Sequence, residues 1–174
     1  KGKWVVKELV GFCPSTKSLI ITSKESGDLQ KNIYNINIKT LKRTLLDNGK
    51  GVHHASLSED GLYVLDTWQE PDIPRKCAVT NTKTGKSVAL QTAPDPWEGW
   101  YQPIFENGTV KAADGTTDLY WRMVKPSDFD PNKKYPTVIY VYGGPHAHNV
   151  EASWHWGSRS WETYMAQKGY ILRS

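Results

Sequence analysis

A stretch of this chain repeats itself 44 positions further on: Asn37, Lys39, Thr40 and Lys42 recur without a gap as Asn81, Lys83, Thr84 and Lys86, and Leu46 recurs as Leu90. The same shift lays Leu19-Ile20-Ile21-Thr22 on Tyr63-Val64-Leu65-Asp66 and the turn Pro14-Ser15-Thr16-Lys17 on Ser58-Glu59-Asp60-Gly61. A repeat of this kind constrains the fold more than composition does, because each copy has to be one supersecondary unit that stacks on its neighbour. Each copy here reads as short strands between turns: residues 5–9, 18–23 and 33–38 in the first, and 54–57, 62–68 and 77–82 in the second. Four-stranded propeller blades recur at about 40 to 50 residues, which fits the spacing. The competing explanation, chance similarity of two β-meanders, is also all-β. Because propellers use about four to eight blades, the ring is expected to be completed by residues outside this sequence or by further copies of it.

The pattern changes after Leu90. Gln91-Thr92-Ala93-Pro94-Asp95-Pro96 is a polar, proline-bearing connector followed by Trp97, Trp100 and Tyr101, so a boundary is expected between a blade region, 1–93, and a second domain, 94–174. Residues 104–112 and 117–125 read as a hairpin about Ala113-Asp114-Gly115-Thr116. The run Val138-Ile139-Tyr140-Val141-Tyr142 reads as a strand buried on both faces and ended by Gly143-Gly144-Pro145. A helix is expected next, capped by Ser158 or Ser160, with Glu162 in its first turn, Trp161, Tyr164 and Met165 packed inward, and a stop at Gly169. Tyr170-Ile171-Leu172 then starts another strand. Hairpin, strand, helix, strand is the opening of an α/β sheet.

Composition narrows the function classes. Apolar residues are 38% of the 174 and charged residues 23%, with a mean hydropathy of −0.59, which excludes a disordered chain. No apolar run approaches the roughly 20 residues of a membrane-spanning helix. The N-terminal Lys1-Gly2-Lys3-Trp4-Val5-Val6-Lys7 lacks the pattern of a signal peptide and a starting Met, and the sequence is expected to be part of a longer one. The net charge of +4 is spread singly and in pairs rather than in a stripe, so nucleic acid is not an expected partner. Cys13 and Cys77 lack CxxC spacing and read as small buried residues. His146, His148 and His155 with Glu151 match no zinc spacing, so neither a metal nor another cofactor is expected. His53-His54 read as packed or turn-stabilising residues. Eight Trp and nine Tyr against three Phe suit sheet surfaces and clefts; Trp97, Trp100 and Tyr101 read as packing residues at the boundary rather than as a sugar platform.

Asp118-Leu119-Tyr120-Trp121, Lys125-Pro126, Phe129-Asp130, Lys133-Lys134-Tyr135-Pro136 and Val141-Tyr142-Gly143-Gly144-Pro145 together resemble the entry to the catalytic domain of the prolyl oligopeptidase family of serine peptidases, in its dipeptide-releasing branch. Gly2-Lys3-Trp4-Val5-Val6, Val52-His53 and Leu57-Ser58-Glu59-Asp60-Gly61-Leu62-Tyr63 are similar to that family's last propeller blades. The resemblance implies blades followed by the N-terminal part of an α/β-hydrolase domain. It also implies a Ser-Asp-His peptidase that releases N-terminal dipeptides with Pro or Ala in second place, acting on peptides, a homodimer at full length, and a secreted, periplasmic or membrane-anchored ectodomain. No Gly-x-Ser-x-Gly occurs in these 174 residues. The triad is therefore expected beyond position 174 and the glutamates that hold the substrate amino terminus before position 1, leaving this segment inactive by itself and prone to self-association.

One family catalytic position maps onto the sequence. Tyr142 matches the tyrosine whose hydroxyl helps to form the oxyanion hole, and its place at the carboxyl end of a strand suits that role independently. Gly143 and Gly144 would let the backbone pass close to substrate and Pro145 would stiffen the turn. The plainer reading makes Tyr142 the last core residue of a strand. At the level of the whole protein, a non-catalytic propeller module that binds protein or carbohydrate is the alternative to a peptidase.

Overall fold

The computed structural model describes residues 2–144 and 146–174, which divide into two compact units, 2–95 with Glu151–Trp154, and the remainder from Pro96 to Val150 with His155–Ser174. The first unit holds two four-stranded antiparallel meanders: β1 (Val6–Cys13), β2 (Ser18–Ser23), β3 (Asn32–Asn37) and β4 (Arg43–Leu45), then β5 (Val52–Leu57), β6 (Tyr63–Glu70), β7 (Ile73–Asn81) and β8 (Ser87–Thr92). These are two propeller blades, each with its strands in sequence order.

The 44-residue repeat is one hydrogen-bonded turn built twice. At the end of β3 the Asn37 side-chain oxygen accepts the N–H groups of Lys39 and Thr40, both at 3.0 Å. At the end of β7 Asn81 accepts those of Lys83 and Thr84, at 3.0 and 2.9 Å. In each copy the threonine hydroxyl then accepts from the following lysine, Thr40 from Lys42 and Thr84 from Lys86. Asparagine suits the position because its short side chain reaches backbone donors two and three residues on. Both turns close through a left-handed residue, Leu41 at φ 58° and Gly85 at φ 71°.

Sequence reading finds the inner strands and misses β4 and β8. Every residue of both is exposed; β4 has only three residues, too few to show an alternation, and that of β8 rests on Val88 and Leu90 alone. Packing between the blades uses Ile20, Ile33 and Leu46 against Val64, with Val10, Ala55 and Leu57 partly covered around them. Leu46 is 7% exposed, but its repeat counterpart Leu90 is 58% exposed, because Leu46 lies between two blades. Leu9 and Phe12 on β1 and Val88 on β8 are exposed as well.

The second unit begins with the hairpin β9 (Ile104–Lys111) and β10 (Asp118–Lys125), in unbroken register from Asp118 against Lys111 to Lys125 against Ile104. Its turn is held by Asp114, which accepts both Thr116 and Thr117 N–H at 2.8 Å and the Thr117 hydroxyl. The Thr117 bonds, followed by that from Thr116, hold the Asp114 carboxyl down at about 2. The sheet continues in the order β11-β12-β10-β9, with β11 (Thr137–Ile139) parallel to β12 (Ile171–Arg173) and α1 (Ser160–Gln167) between them in sequence. Val124, Ala166 and Leu172 form its core, with Phe105, Met165 and Tyr170 against them.

Two expectations are corrected here. The 138–142 strand is shorter and more open: regular pairing stops at Ile139, and Ile139 and Val141 are 66% and 77% exposed. β11 is the edge of this sheet, so an apolar run alone did not imply two covered faces. The helix, in turn, presents Glu162, Thr163 and Ala166 inward, while Trp161 and Tyr164 are exposed. Its N-cap is Arg159, whose N–H is accepted by the Glu162 carboxylate at 2.6 Å, so the first turn is satisfied from the third helical residue rather than by serine. Gly169, at φ 84°, ends the helix as expected, with Gly169 N–H on the Ala166 carbonyl and Tyr170 N–H on that of Met165.

The duplicated turn supplies its own comparison. Leu41 occupies a left-handed position that Gly85 fills without a Cβ penalty. Leu41→Gly should raise unfolding stability by about 0.5–1 kcal/mol, and Gly85→Leu should lower it by a similar amount. Denaturant titration of both variants checks this, and a loss of stability in Leu41→Gly would contradict the account of the turn.

Candidate functional site

The segment that carries Tyr142 leaves the sheet in a defined way. Tyr140 N–H still donates to the Arg173 carbonyl at 2.8 Å, one residue beyond regular β11. Tyr142 lies just past this point, outside any strand and 42% exposed. It is therefore not a closed-in core residue. The ring folds back over its own loop: a Cβ placed on Gly144 would meet Tyr142 Cζ and Oη at 2.9 Å, whereas one placed on Gly143 would meet nothing within 4 Å. Gly144 is thus the glycine the ring needs, and Gly143 is sterically unconstrained. Pro145 lies outside the described residues.

One end of this loop meets the start of α1 directly and the other is tied to it through β10. The Arg159 guanidinium sits 4.7 Å over the Tyr140 ring. At the far end, Arg122 of β10 donates from Nε to the Asn149 carbonyl at 2.8 Å, and from Nη1 and Nη2 to the two Glu162 oxygens at 2.7 and 2.9 Å. Arg122 and Glu162 are 2% and 1% exposed. Sequence reading placed Glu162 in a helix and missed its partner. The two residues are 40 positions apart, and no local pattern joins them.

The histidines separate into different environments. His53 is fully buried on β5. Its Nδ1 lies 2.9 and 3.0 Å from the Asp66 oxygens and 3.7 Å from Asp47, and its Nε2 lies 2.7 Å from the Lys50 carbonyl. A carbonyl oxygen only accepts, so Nε2 carries a proton, and the carboxylates at Nδ1 favour a second one. Trp68 stacks on the ring at 5.3 Å. Burial pushes the His53 pKa down, but the Asp66 hydrogen bond and the Asp47 and Asp66 charges outweigh it and hold the pKa above 6.5. Burial raises that of Asp47 over the opposing pull of His53 and the Ile33 and Gly49 N–H groups. His54 instead has its pKa lowered by burial and by Lys31, whose Nζ is 3.2 Å from Nδ1.

His155 is buried and stacked on Phe105 at 3.9 Å, with Trp97 tilted beside it at 6.1 Å, while His146 and His148 are exposed. Trp97 packs on His155 within its own unit, whereas Trp100 and Tyr101 are 72% and 88% exposed, about a turn closed by Trp100 N–H on the Trp97 carbonyl. Cys13 is buried beside the Ser15 and Thr82 hydroxyls and Cys77 is half-buried, both as free thiols. Two clefts of about 270 Å³ each lie in the blades, one lined by the repeated turns and one by Asp47, Asp66 and Trp68. In the second, both carboxylates are already engaged by His53, Asn32 and backbone N–H groups.

A family profile described as the dipeptidyl peptidase IV (DPP IV) N-terminal region matches residues 1–75. A Bacteroides ovatus crystal structure assigned to dipeptidyl aminopeptidase IV superposes on 99% of this chain with a TM-score of 0.91 and 42% identity, over 25% of its own length. Porphyromonas gingivalis dipeptidyl peptidase 4 covers 99% at a TM-score of 0.87 and 26% identity, over 24% of its length. Among sequence relatives, dipeptidyl-peptidase 5 of P. gingivalis is 29% identical over 95% of this chain and dipeptidyl peptidase 4 of Trichophyton tonsurans 27% identical over 88%. Blades of this topology, matched along almost the whole chain, make it similar from end to end to proteins named dipeptidyl peptidases. The chain spans about a fifth to a quarter of the relatives it matches.

The blade histidine sets a pH dependence whose sign is fixed. A folded-state pKa above the unfolded value stabilises below about 6.5, and that stability is lost as pH rises through the folded pKa. Asp47, also raised, acts with the same sign in the acid range above its ordinary 3.8. Denaturation midpoints should therefore fall from about pH 6.5 upward, and His53→Gln should be less stable at pH 6 and lack this fall. A wild-type midpoint that stays level from about pH 6 to 9 would contradict a buried imidazolium.

Proposed function

We propose that this chain is the junction segment of a serine exopeptidase that releases N-terminal dipeptides, with Pro or Ala in second place, from peptides. Its blades, residues 1–93, precede the opening of an α/β-hydrolase domain, residues 94–174. The observation that carries the reading is the position of Tyr142, three residues beyond the carboxyl end of a parallel-paired strand, 42% exposed and with its ring folded over Gly144. Open α/β sheets gather their chemistry at strand carboxyl ends. A phenol is a donor on a rigid arm; aimed at the scissile carbonyl, it stabilises the oxyanion that develops when a serine attacks. Gly143 and Gly144 follow it directly in sequence and would let the backbone pass close to the substrate. The serine, its base and the groups that recognise the substrate's amino terminus are supplied by the rest of the full-length enzyme. This segment by itself hydrolyses nothing, since a tetrahedral intermediate needs a nucleophile and a base.

In the full-length enzyme Tyr142→Phe keeps the ring over Gly144 and removes the donor. Its kcat on a Gly-Pro chromogenic substrate should fall by about a hundredfold to a thousandfold, the range for loss of one oxyanion donor, while KM and the thermal midpoint change little. Wild-type kcat in Tyr142→Phe would remove the proposed role, and serine-dependent turnover by the 174-residue segment alone would refute its inactivity.

The same reading bears on association. Exposed Leu9 and Phe12 on β1 and Val88 and Leu90 on β8 are apolar sheet surface, and in the isolated segment they should drive self-association. Light scattering of purified segment should show oligomers that grow with concentration. A monomer at high concentration would contradict this.

A further inference from the structure

We propose that Arg122 and Glu162 are positioning residues for Tyr142, the ion pair fixing both ends of the segment that carries the phenol. The proposal rests on the reading of Tyr142 as an oxyanion donor and names what holds it in place.

A buried guanidinium and carboxylate bear a desolvation cost that an apolar pair of the same size would not, so this pair calls for an explanation beyond stability. Its hydrogen bonds supply one. Arg122 spends two N–H groups on Glu162 and a third, Nε–H, on the Asn149 carbonyl. Asn149 lies seven residues after Tyr142. Glu162 accepts, besides the fork, the Arg159 N–H, and Arg159 lies over Tyr140, two residues before Tyr142. From one carboxylate, direct contacts thus lead to both flanks of the loop. Tyr142 sits between those anchors, and its ring leans on Gly144 inside the same loop. Arginine is specifically suited, because a planar fork serves Glu162 while Nε still faces Asn149. Lysine keeps the charge but has one nitrogen for both.

A residue that acts through Tyr142 should lose its effect when the phenol oxygen is gone. In the full-length enzyme, Arg122→Lys and Glu162→Gln are each made alone and with Tyr142→Phe. Each single variant should lower kcat by about tenfold to a hundredfold, the scale of misplacing a reacting group by an ångström, with KM nearly unchanged. In the Tyr142→Phe background neither should lower kcat further. Hydrogen exchange of residues 141–149 should quicken in both variants, with the β9–β10 hairpin unaltered. Equal losses of kcat in both backgrounds, or unchanged exchange over 141–149, would overturn the proposal. Should Tyr142→Phe itself keep wild-type kcat, the oxyanion reading fails, and the exchange data alone then decide whether the pair holds the segment. Arg122→Lys retains the ion pair with Glu162, so it supplies the result if Glu162→Gln does not fold.

Discussion

A neutral imidazole has one N–H, yet both ring nitrogens of His53 face acceptors, the Lys50 carbonyl on one side and Asp66 on the other. Holding the ring neutral would set a lone pair against an oxygen inside the protein, so the second proton is favoured and its buried charge is met by carboxylates. This ties the blades together. Asp47, whose carboxylate faces His53, also accepts the Ile33 N–H at 2.6 Å and the Asn32 amide at 3.0 Å, so the end of the first blade is bonded to the start of its own β3 and faces the charge in the second. Lys31 N–H donates to Gly51, and His53 N–H to Lys31, across the same seam. The apolar contact of Ile20, Ile33 and Leu46 with Val64 fills the space beside it. Apolar burial supplies the driving force without direction, and the charged site fixes how one blade sits on the other.

The second unit uses the same device at another place. Arg122 and Glu162 join a strand, a helix and a loop through hydrogen bonds with fixed directions, while Val124, Ala166 and Leu172 provide non-directional packing. A loop without strand or helix pairing keeps a functional side chain in place only if something rigid holds its ends. Here the holders are a strand residue and a helix residue, each almost fully buried, and the loop they hold is the one bearing Tyr142.

Much of the fold was readable in the sequence because its determinants are local. Asn37 and Asn81 fold their own turns with donors two and three residues away, so the repeat in letters is a repeat in hydrogen bonds. Asp114 does the same for its hairpin, and Gly169 for the helix end. What was misread depends on partners distant in sequence. The inward face of α1 is set by Arg122, so Glu162 turns inside where the large aromatics were expected. The openness of Val138–Val141 follows from β11 lying at an edge, which no run of apolar residues reveals. Tyr142 was legible through the resemblance of its motif, but its anchors were not, since a guanidinium and a carboxylate far apart in sequence look like two ordinary surface charges.

The most direct test of the oxyanion role is a crystal structure of the full-length enzyme with a dipeptide boronic acid, whose tetrahedral boronate stands in for the reaction's intermediate. One boronate oxygen should lie about 2.7–3.1 Å from the Tyr142 hydroxyl, with a backbone N–H as its second donor. A boronate oxygen bound by other donors, with the Tyr142 hydroxyl turned to solvent, would contradict it.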